Sequence, residues 1–318
     1  MRDEDLEAGL LGGRQELTRE QVSERSGVPL DEARDVWAAM GLPEVPAGEV
    51  AFTERDVQAL LTVGRLRESG LVDLDTTLVL ARVMGQGLSR LAEAQVDVFR
   101  ERARGLSPDE AVATARAGAQ EVLPDLERLV VHVWRRQFAA AAVRSFEAAR
   151  QDGLPRLAVG FVDLEGFTRT SREWGVAELQ ELLERFERET SLRVTAAGGR
   201  VIKTLGDEVL FVAEEITAAA EIALGTVDAH AEHGLPDVRG GLALGPVLVR
   251  LGDVFGQPVN LASRLTSEAR PGTVLVDLEA ASALEQDPAY ELVKLRQRAV
   301  RGYRALRPHV LRRSSGPV

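Results

Sequence analysis

The sequence contains no cysteine, which excludes disulfide bridges, a thiolate nucleophile and Cys-ligated zinc. Its four histidines show neither HxxxH nor HExxH spacing, which disfavours a histidine-based metal site. No apolar run approaches the roughly 18–20 residues that a membrane span needs. The N-terminus lacks the apolar core of a signal peptide. We therefore expect a cytoplasmic protein that does not use a membrane as a partner.

Positive charge is scarce: 39 basic residues stand against 50 acidic ones, for a net charge of −11. Nucleic-acid binders normally carry a basic face, so we expect no nucleic acid among the partners. Lysine is the rarest cation, because only Lys203 and Lys294 accompany 37 arginines. A lysine offers a compact ammonium donor where arginine offers a planar fork. Each lysine of this chain is therefore a candidate for a specific role.

The 318 residues divide into two parts with different patterns. Residues 1–150 show one helical signal after another and no strand-like alternation. Thr53 with Asp56 three residues later, for example, predicts a capping box at a helix start. The stretch QDGLP at 151–155 is rich in turn formers and marks a boundary. We expect an all-α domain over residues 1–150 and a second domain over residues 151–318.

Strand and helix signals alternate in the second part. LAVGFVDL at 157–164 predicts a buried strand, and a helix with apolar spacing follows it. RVIKT and EVLFVA flank a turn at 205–207 and predict a hairpin. A second helix and the glycine-punctuated ribbon VRGGLALGPVLVRLGDVFG come next. The order β-α-β-β-α-β predicts an α+β fold, a ferredoxin-like plait with additions.

Two aspartates occupy turn positions of this plait. Asp163 ends the first predicted strand, and Asp207 lies at the tip of the hairpin. These two places are neighbours in a plait, so the carboxylates would repel each other unless a divalent cation joined them. Oxygen ligands suit Mg²⁺, which is held by one or two carboxylates plus substrate phosphates. The alternative is that each aspartate only caps a turn.

A third segment, DVFGQPVNLASR at 253–264, contains a polar pair. Asn260 and Arg264 are four residues apart, so on a helix they project from one face. Apolar residues surround Asn260, which predicts a largely buried helix whose polar side chains need partners. The alternative is an ordinary solvated helix face.

The three segments together resemble the catalytic domain of class III nucleotide cyclases over about residues 156–312. F-x-D-(I/L)-x-G-F-T is met at 161–168, K-x-x-G-D-x at 203–208, and D-x-x-G-x-x-V-N-x-A-S-R at 253–264. The resemblance implies an adenylate cyclase, a lyase that converts ATP to 3′,5′-cyclic AMP and pyrophosphate. No protein nucleophile is needed for that reaction, which agrees with the lack of cysteine.

The resemblance also implies roles for individual residues. Two Mg²⁺ or Mn²⁺ ions per site would act on the ribose 3′-hydroxyl and on the phosphates. Asn260 would orient the ribose, and Arg264 would stabilise charge at the phosphorus. Asp163, Leu164 and Asp207 would bind the metal ions. Phe167 and Thr168, in the turn after the first strand, would bind the substrate. Arg301 would also bind it, because it stands where the family often has a phosphate-binding lysine.

Base choice is assigned by the resemblance to Lys203 and Asp253. Adenine presents an acceptor at N1 and a donor at its exocyclic amine, so a lysine donor and an aspartate acceptor complement it. Guanine presents the opposite pattern. Two alternatives remain open: a guanylate cyclase, and a catalytically silent nucleotide-binding regulator.

The family shares each site between two subunits, which implies a homodimer with two equivalent sites. One subunit would give the metal-binding aspartates and the other Lys203, Asp253, Asn260 and Arg264. Residues 1–150 resemble, more loosely, the helical regulatory domain of actinobacterial adenylyl cyclases, including the pH-sensing mycobacterial type. The resemblance implies that this domain restrains the catalytic domain and that acid relieves the restraint. His132 in the last helix is a candidate titrating residue. A transcription factor with a cyclase-like sensor is the competing interpretation of this half, and its excess of acidic residues argues against it.

Overall fold

The structure is a computed structural model that describes residues 3–148, 150, 153–166, 174–300 and 303–314. The chain forms two compact units, Met1–Ala142 and Val143–Val318. This division falls inside a helix, somewhat before the turn-rich stretch at 151–155. Among the described residues, no helix combines the length and the apolar character that crossing a bilayer requires.

The first unit is built from helices, as its sequence pattern predicts. Side-chain caps form at the helix starts, and Thr18, Thr53, Asp73 and Ser107 each accept a hydrogen bond from a backbone N–H of the first turn. The elements are α1 (Asp3–Leu11), β1 (Leu17–Thr18), α2 (Arg19–Ser26), α3 (Leu30–Ala39), β2 (Val50–Phe52), α4 (Glu54–Glu68), α5 (Leu74–Arg102), α6 (Pro108–Glu121) and α7 (Leu123–Ala148).

Two short strands of this unit were not predicted. β1 and β2 pair antiparallel, with Leu17 opposite Phe52. Strands of two and three residues are too short to show an alternating pattern, which is why the sequence suggested helices alone. A small core holds the unit together, and Phe52 contributes its ring to it, 4.6 Å from the ring of Trp37.

The second unit is a sheet covered by helices. Its elements are β3 (Arg156–Leu164), α8 (Val176–Ala196), β4 (Arg200–Leu205), β5 (Glu208–Ala213), α9 (Ile216–Glu232), β6 (Val238–Pro246), β7 (Leu248–Arg250), β8 (Asp253–Phe255), α10 (Gln257–Glu268), β9 (Val274–Val276), α11 (Leu278–Leu284), β10 (Tyr290–Lys294), β11 (Arg298–Val300), β12 (Tyr303–Leu306) and β13 (His309–Arg313).

The strand order of the seven-stranded sheet is β10-β13-β9-β6-β3-β5-β4. The segment β6-β3-β5-β4 is the antiparallel centre of a ferredoxin-like plait, with β3 as its first strand and β6 as its fourth. β9 extends it in parallel to β6, and β13 and β10 follow antiparallel. The expected α+β fold is confirmed. The strands after β9 are additions that the sequence pattern did not specify.

The core lies on both faces of the sheet because successive residues of a strand point to opposite sides. In β3, Ala158 and Val162 face the layer that contains α8 and α9. Val159 and Phe161 face the opposite layer, which contains α10. Residue 163 continues this second series. The side chain of Asp163 at the end of β3 therefore points to the α10 face.

Gly241 on β6 allows α10 to approach the sheet closely. A Cβ at this position would lie 2.4 Å from the carbonyl oxygen of Ala262 and from the backbone N of Thr266. Backbone atoms cannot yield as the end of a flexible side chain can, so a larger residue would push the helix away. The missing side chain therefore fixes how near α10 lies to the ends of β3 and β6.

Candidate active site

The structure brings Asp163 and Asp207 together, as their turn positions suggested. Asp163 pairs in register with Glu208, the first residue of β5. The backbone N–H of Leu164 donates to the carbonyl oxygen of Asp207 over 3.0 Å, which ties the end of β3 to the hairpin turn. Gly206 in that turn has φ of +70°, a left-handed conformation that glycine adopts without strain.

The other residues assigned to the metal and phosphate side differ in what the structure says of them. The apolar side chain of Leu164 is buried in the core. The only oxygen that this residue could offer a cation is that of its backbone carbonyl. Phe167, Thr168 and Arg301 lie outside the described residues. Their assignment therefore stays a prediction from the sequence.

Arg239 on β6 contacts the candidate site, although no sequence pattern singled it out. It is the register partner of Asp163 on the other side of β3. Its Nε and Nη2 lie 2.8 and 2.7 Å from Asp163 Oδ2. Its Nη1 lies 3.1 Å from Glu165 Oε2, near enough for charge attraction although that oxygen is not aligned for a hydrogen bond. One guanidinium therefore serves two carboxylates.

Two carboxyl groups at this end of the sheet, those of Asp163 and Glu208, have raised pKa values. Burial raises the pKa of Asp163 above its usual range, and Asp207 and Glu165 reinforce the rise while Arg239 opposes it. Burial, with Asp163 and Asp207 nearby, raises the pKa of Glu208 to about 7. These side chains form an acidic cluster that a single arginine leaves short of positive charge.

The uncompensated negative charge of this acidic cluster indicates whether a divalent cation would fit there. Among the described residues, no group of three or more His, Cys, Asp or Glu side chains forms a ready-made metal site. Two aspartates nonetheless suit Mg²⁺ or Mn²⁺, because such ions keep water and take substrate phosphates as further ligands. A cation bound to Asp163 and Asp207 would also relieve the repulsion between them. The residues present therefore fit the ions that the sequence implies.

Lys203 and Asp253 form a second group. Lys203 Nζ lies 2.6 Å from Asp253 Oδ2 and joins β4 to β8. Although burial pushes the pKa of Asp253 upward, the hydrogen bond from Lys203 and the backbone N–H of Val254 hold it below its usual range. The carboxylate is therefore ionised at neutral pH and ready to accept hydrogen bonds.

Asn260 and Arg264 project from one face of α10, as their spacing predicted. The expectation that Asn260 is buried is wrong: it is exposed, and Arg264 is partly exposed. Two of the apolar neighbours that suggested burial, Leu261 and Ala262, face the sheet instead. A helix turns about 100° per residue, so sequence neighbours lie on different faces. The polar pair is presented outward from the unit.

The two groups have separate electrostatic surroundings. Asp163 is influenced by Arg239, Asp207 and Glu165. The charged group that acts on Asp253 is Lys203. Each group is thus organised by its own neighbours within one chain.

His132, the candidate titrating residue of the first unit, is exposed on α7. None of the described residues of this helix is buried. The structure therefore shows His132 on an exposed helix surface.

Known proteins resemble the sheet unit of this chain, and several of them also resemble the helical unit. Residues 150–313 match the family described as Adenylate and Guanylate cyclase catalytic domain. An adenylate cyclase of Streptomyces coelicolor is 40% identical, over 98% of this chain and 90% of that protein. One of Glutamicibacter nicotianae is 38% identical, over 98% of this chain and 82% of that protein. A pH-sensitive adenylate cyclase of Mycobacterium tuberculosis is 31% identical, over 86% of this chain and 71% of that protein.

The family match covers the whole sheet unit from β3 to β13, including all three motifs. The relatives named adenylate cyclase extend the similarity into the helical unit, since two of them align with nearly the entire chain. Together with the ferredoxin-like sheet, these matches confirm the resemblance that the motifs suggested. The chain therefore belongs to the class III adenylate cyclases of the adenylate and guanylate cyclase family.

Proposed function

We propose that this chain converts ATP to 3′,5′-cyclic AMP and pyrophosphate, at sites that each take residues from two copies of the chain. The observation that most directly supports ATP as the substrate is the contact of 2.6 Å between Lys203 and Asp253. An ammonium has three donors, and an ionised carboxylate has about four acceptor positions. The pair can therefore keep its mutual contact while Lys203 donates to adenine N1 and Asp253 accepts from the exocyclic amine.

The acidic end of the sheet suits the phosphate side of the reaction. When bound there, divalent ions supply positive charge to the phosphates and lower the pKa of the ribose 3′-hydroxyl. Asp163 and Asp207 would hold these ions, and the buried surroundings of Asp163 strengthen its electrostatic interactions with them.

Asn260 and Arg264 complete the proposed set from α10. The Asn260 amide would orient the ribose so that its 3′-oxygen lies in line with the α-phosphorus. The Arg264 guanidinium would stabilise the negative charge that builds up at that phosphorus during attack. Both side chains are accessible on the outer face of α10, as residues that act on a bound nucleotide must be.

A second copy of the chain is the proposed source of the missing half of each site. Near the Lys203–Asp253 pair, three large apolar side chains are about half exposed: Leu205 (49%), Leu248 (47%) and Phe255 (49%). Exposed apolar side chains that cluster on one surface are typical of protein interfaces. Closed twofold pairing is the commonest arrangement of homo-oligomers, and it would create two equivalent sites.

The direct test is a comparison of nucleotides. Purified protein with Mn²⁺ or Mg²⁺ should form cyclic AMP from ATP, and much less cyclic GMP from GTP. Preferred turnover of GTP would support a guanylate cyclase instead. Absence of any cyclic product, with nucleotide binding retained, would support a silent regulator.

Mixed dimers test the shared site. Asp163→Ala removes a proposed metal ligand, and Asn260→Ala removes the proposed ribose contact, so each variant alone should be nearly inactive. In a mixed dimer, one site collects both changes and the other collects neither. Random exchange makes half of the dimers mixed, so about a quarter of wild-type activity should return under twofold symmetry.

A second mixture provides the control. Asn260→Ala and Arg264→Ala lie on the same proposed side, so every site of their mixed dimers keeps one defect and activity should stay low. Subunit exchange is verified by tagging the two variants differently and purifying through both tags. If the first mixture stays inactive although exchange occurs, the shared-site proposal fails. Equal recovery in both mixtures would refute the division of residues between the subunits.

We also propose that residues 1–150 restrain the catalytic part and that acid relieves the restraint. The support is the mycobacterial relative named pH-sensitive adenylate cyclase, whose similarity covers 86% of this chain and so includes much of the first unit. The exposed position of His132 gives no structural reason to single it out as the sensor. The proposal therefore concerns the unit as a whole.

A further inference from the structure

The first unit contains a cleft that the cyclase site does not explain. It encloses about 380 Å³, a volume within the range of small-molecule sites. Its lining comes from α2, α3, the segment that follows α3, and β2. The whole cleft therefore belongs to the helical unit, and its chemistry can be judged without reference to the catalytic unit.

The inner part of the cleft is apolar. Trp37 and Phe52 are its most buried lining residues, with 9% and 7% of their surface exposed, and their rings lie 4.6 Å apart. Leu42 and Pro43 lie further out, and Leu42 is 48% exposed. Covering this apolar surface would remove it from water, which is favourable. The inner part of the cleft therefore suits the apolar body of a ligand.

The two arginines of the lining already have partners. Arg34 Nη2 lies 2.7 Å from Glu44 Oε1. Arg19 Nε lies 2.9 Å from Glu20 Oε1, and its Nη1 donates to the backbone carbonyl of Val45 over 2.9 Å. These contacts tie the segment after α3 to α2 and α3. A negatively charged ligand would have to break them before it could pair with either guanidinium.

Asp31 and Asp35 give the cleft an unbalanced negative charge. They are four residues apart on α3, so their side chains project from the same face of the helix. Both are exposed, and within the described part of the chain neither carboxylate has a hydrogen bond or an ion pair. The lining thus contains three acidic residues against two arginines, and two of the three acids lack a counter-charge.

The same two aspartates argue against the partner that the local fold suggests. α2 and α3 are joined by a short turn at Gly27, whose φ is +71°, which is the arrangement of a helix-turn-helix. In DNA-binding proteins with this motif, the second helix enters the major groove. Carboxylates on the outer face of that helix would be repelled by phosphates. This face therefore favours a cation over a nucleic acid.

We propose that the cleft is a binding site for a small organic cation, an ammonium group attached to an apolar body. The body would cover Leu42 and Pro43, and the ammonium would lie near Asp31 and Asp35. The enclosed volume suits a small molecule. The proposal is independent of the cyclase reaction, because every lining residue belongs to the first unit.

Three probes with the same apolar body separate the effect of charge from that of apolar contact. At pH 7, 2-naphthylmethylammonium is a cation, 2-naphthalenemethanol is neutral and 2-naphthoate is an anion. Each probe is dialysed to equilibrium against the full chain, and the bound fraction is measured from naphthalene absorbance. The cation should occupy one site per chain. It should bind at least about fivefold more tightly than the other two probes, which is the effect of two exposed ion pairs.

Variants test whether this binding occurs in the cleft. Asp31→Asn combined with Asp35→Asn should lower the affinity for the cation to that for the alcohol. Ala38→Phe adds a ring at an exposed lining position and should weaken binding of the cation by filling the cleft. Asp75→Asn is the matched control, because Asp75 is the exposed second residue of α5, as Asp31 is of α3. This variant should bind the cation like the wild type.

Melting temperatures show whether each variant folds. If the double variant does not fold, Asp35→Asn alone should still weaken binding of the cation, by about twofold. The proposal is overturned if the cation does not bind, if the three probes bind equally, or if 2-naphthoate binds most tightly. It is also overturned if the aspartate variants or Ala38→Phe bind the cation like the wild type, or if Asp75→Asn loses as much affinity as they do.

Discussion

Lys203→Glu is the sharpest test of how this cyclase would select adenine. The change places a second carboxylate beside Asp253, whose Oδ2 now lies 2.6 Å from the Lys203 ammonium. The two side chains are 37% and 30% exposed, so water screens them and the ion pair contributes about 1 kcal/mol or less to folding. The variant should therefore fold, which separates an effect on recognition from an effect on stability.

The effect on ATP follows from the hydrogen bonds that the base would lose. Adenine N1 is an acceptor, and in the variant it would face another acceptor. Leaving a buried polar group without a partner costs about 1–3 kcal/mol, and more where a charge is involved. Since about 1.36 kcal/mol corresponds to tenfold in rate, kcat/KM for ATP should fall at least about tenfold. Repulsion between the two carboxylates adds to this loss.

Lys294→Glu is the natural control, because it makes the same chemical change at the other lysine of the chain, on the exposed edge strand β10. Cyclic AMP formation is measured over a range of ATP concentrations for both variants and the wild type, alongside their melting temperatures. We expect a loss only in Lys203→Glu. Undiminished ATP turnover in that variant, with its fold intact, would falsify the base-reading role, and so would an equal loss in Lys294→Glu.

Two further predictions concern pH. The isolated catalytic part, residues 151–318, should be more active than the full chain near neutral pH, with a gap that narrows on acidification; no excess activity at any pH would refute the restraint. Burial lowers the pKa of His230 below its usual range, so the unfolded chain binds the proton more readily than the folded chain. The free energy of unfolding should therefore be highest above about pH 6.5 and should fall as the pH drops below that value. His230→Gln can still donate to the Pro236 carbonyl and should flatten this decline in urea unfolding, whereas an unchanged slope would assign the acid sensitivity to other groups.

Much of the sheet unit could be predicted because its sequence signals are local. The apolar run of β3, the hairpin turn at Gly206 and the glycine-rich strand β6 each indicate one element. Their order then leaves few topologies for a β-α-β-β-α-β chain. β1, β2 and the strands after β9 escaped because short or edge strands depend on the partners that they meet and carry little pattern of their own.

The site divides in the same way. Asp163 and Asp207 were predictable as neighbours because turn positions and strand order determine where they meet. The burial of Asn260 was judged wrongly, since apolar sequence neighbours do not show which face of a helix meets the core. The importance of Glu208 and Arg239 could not be predicted from motif spacing. The glycines of VRGG at 238–241 do indicate a strand that another part of the backbone approaches closely.

Arg239 shows why register, beyond motif, decides the chemistry of this site. Asp163 lies opposite Glu208 on β5 and opposite Arg239 on β6, so one cross-strand neighbour is an acidic residue and the other is a basic residue. A slip of one residue in either pairing would move every side chain of that strand to the other face. The slip is prevented by apolar alternation in β3, where Val162 and Phe161 fill opposite cores. The packing of residues that never meet a nucleotide therefore sets the charge around the carboxylate proposed to bind the cation.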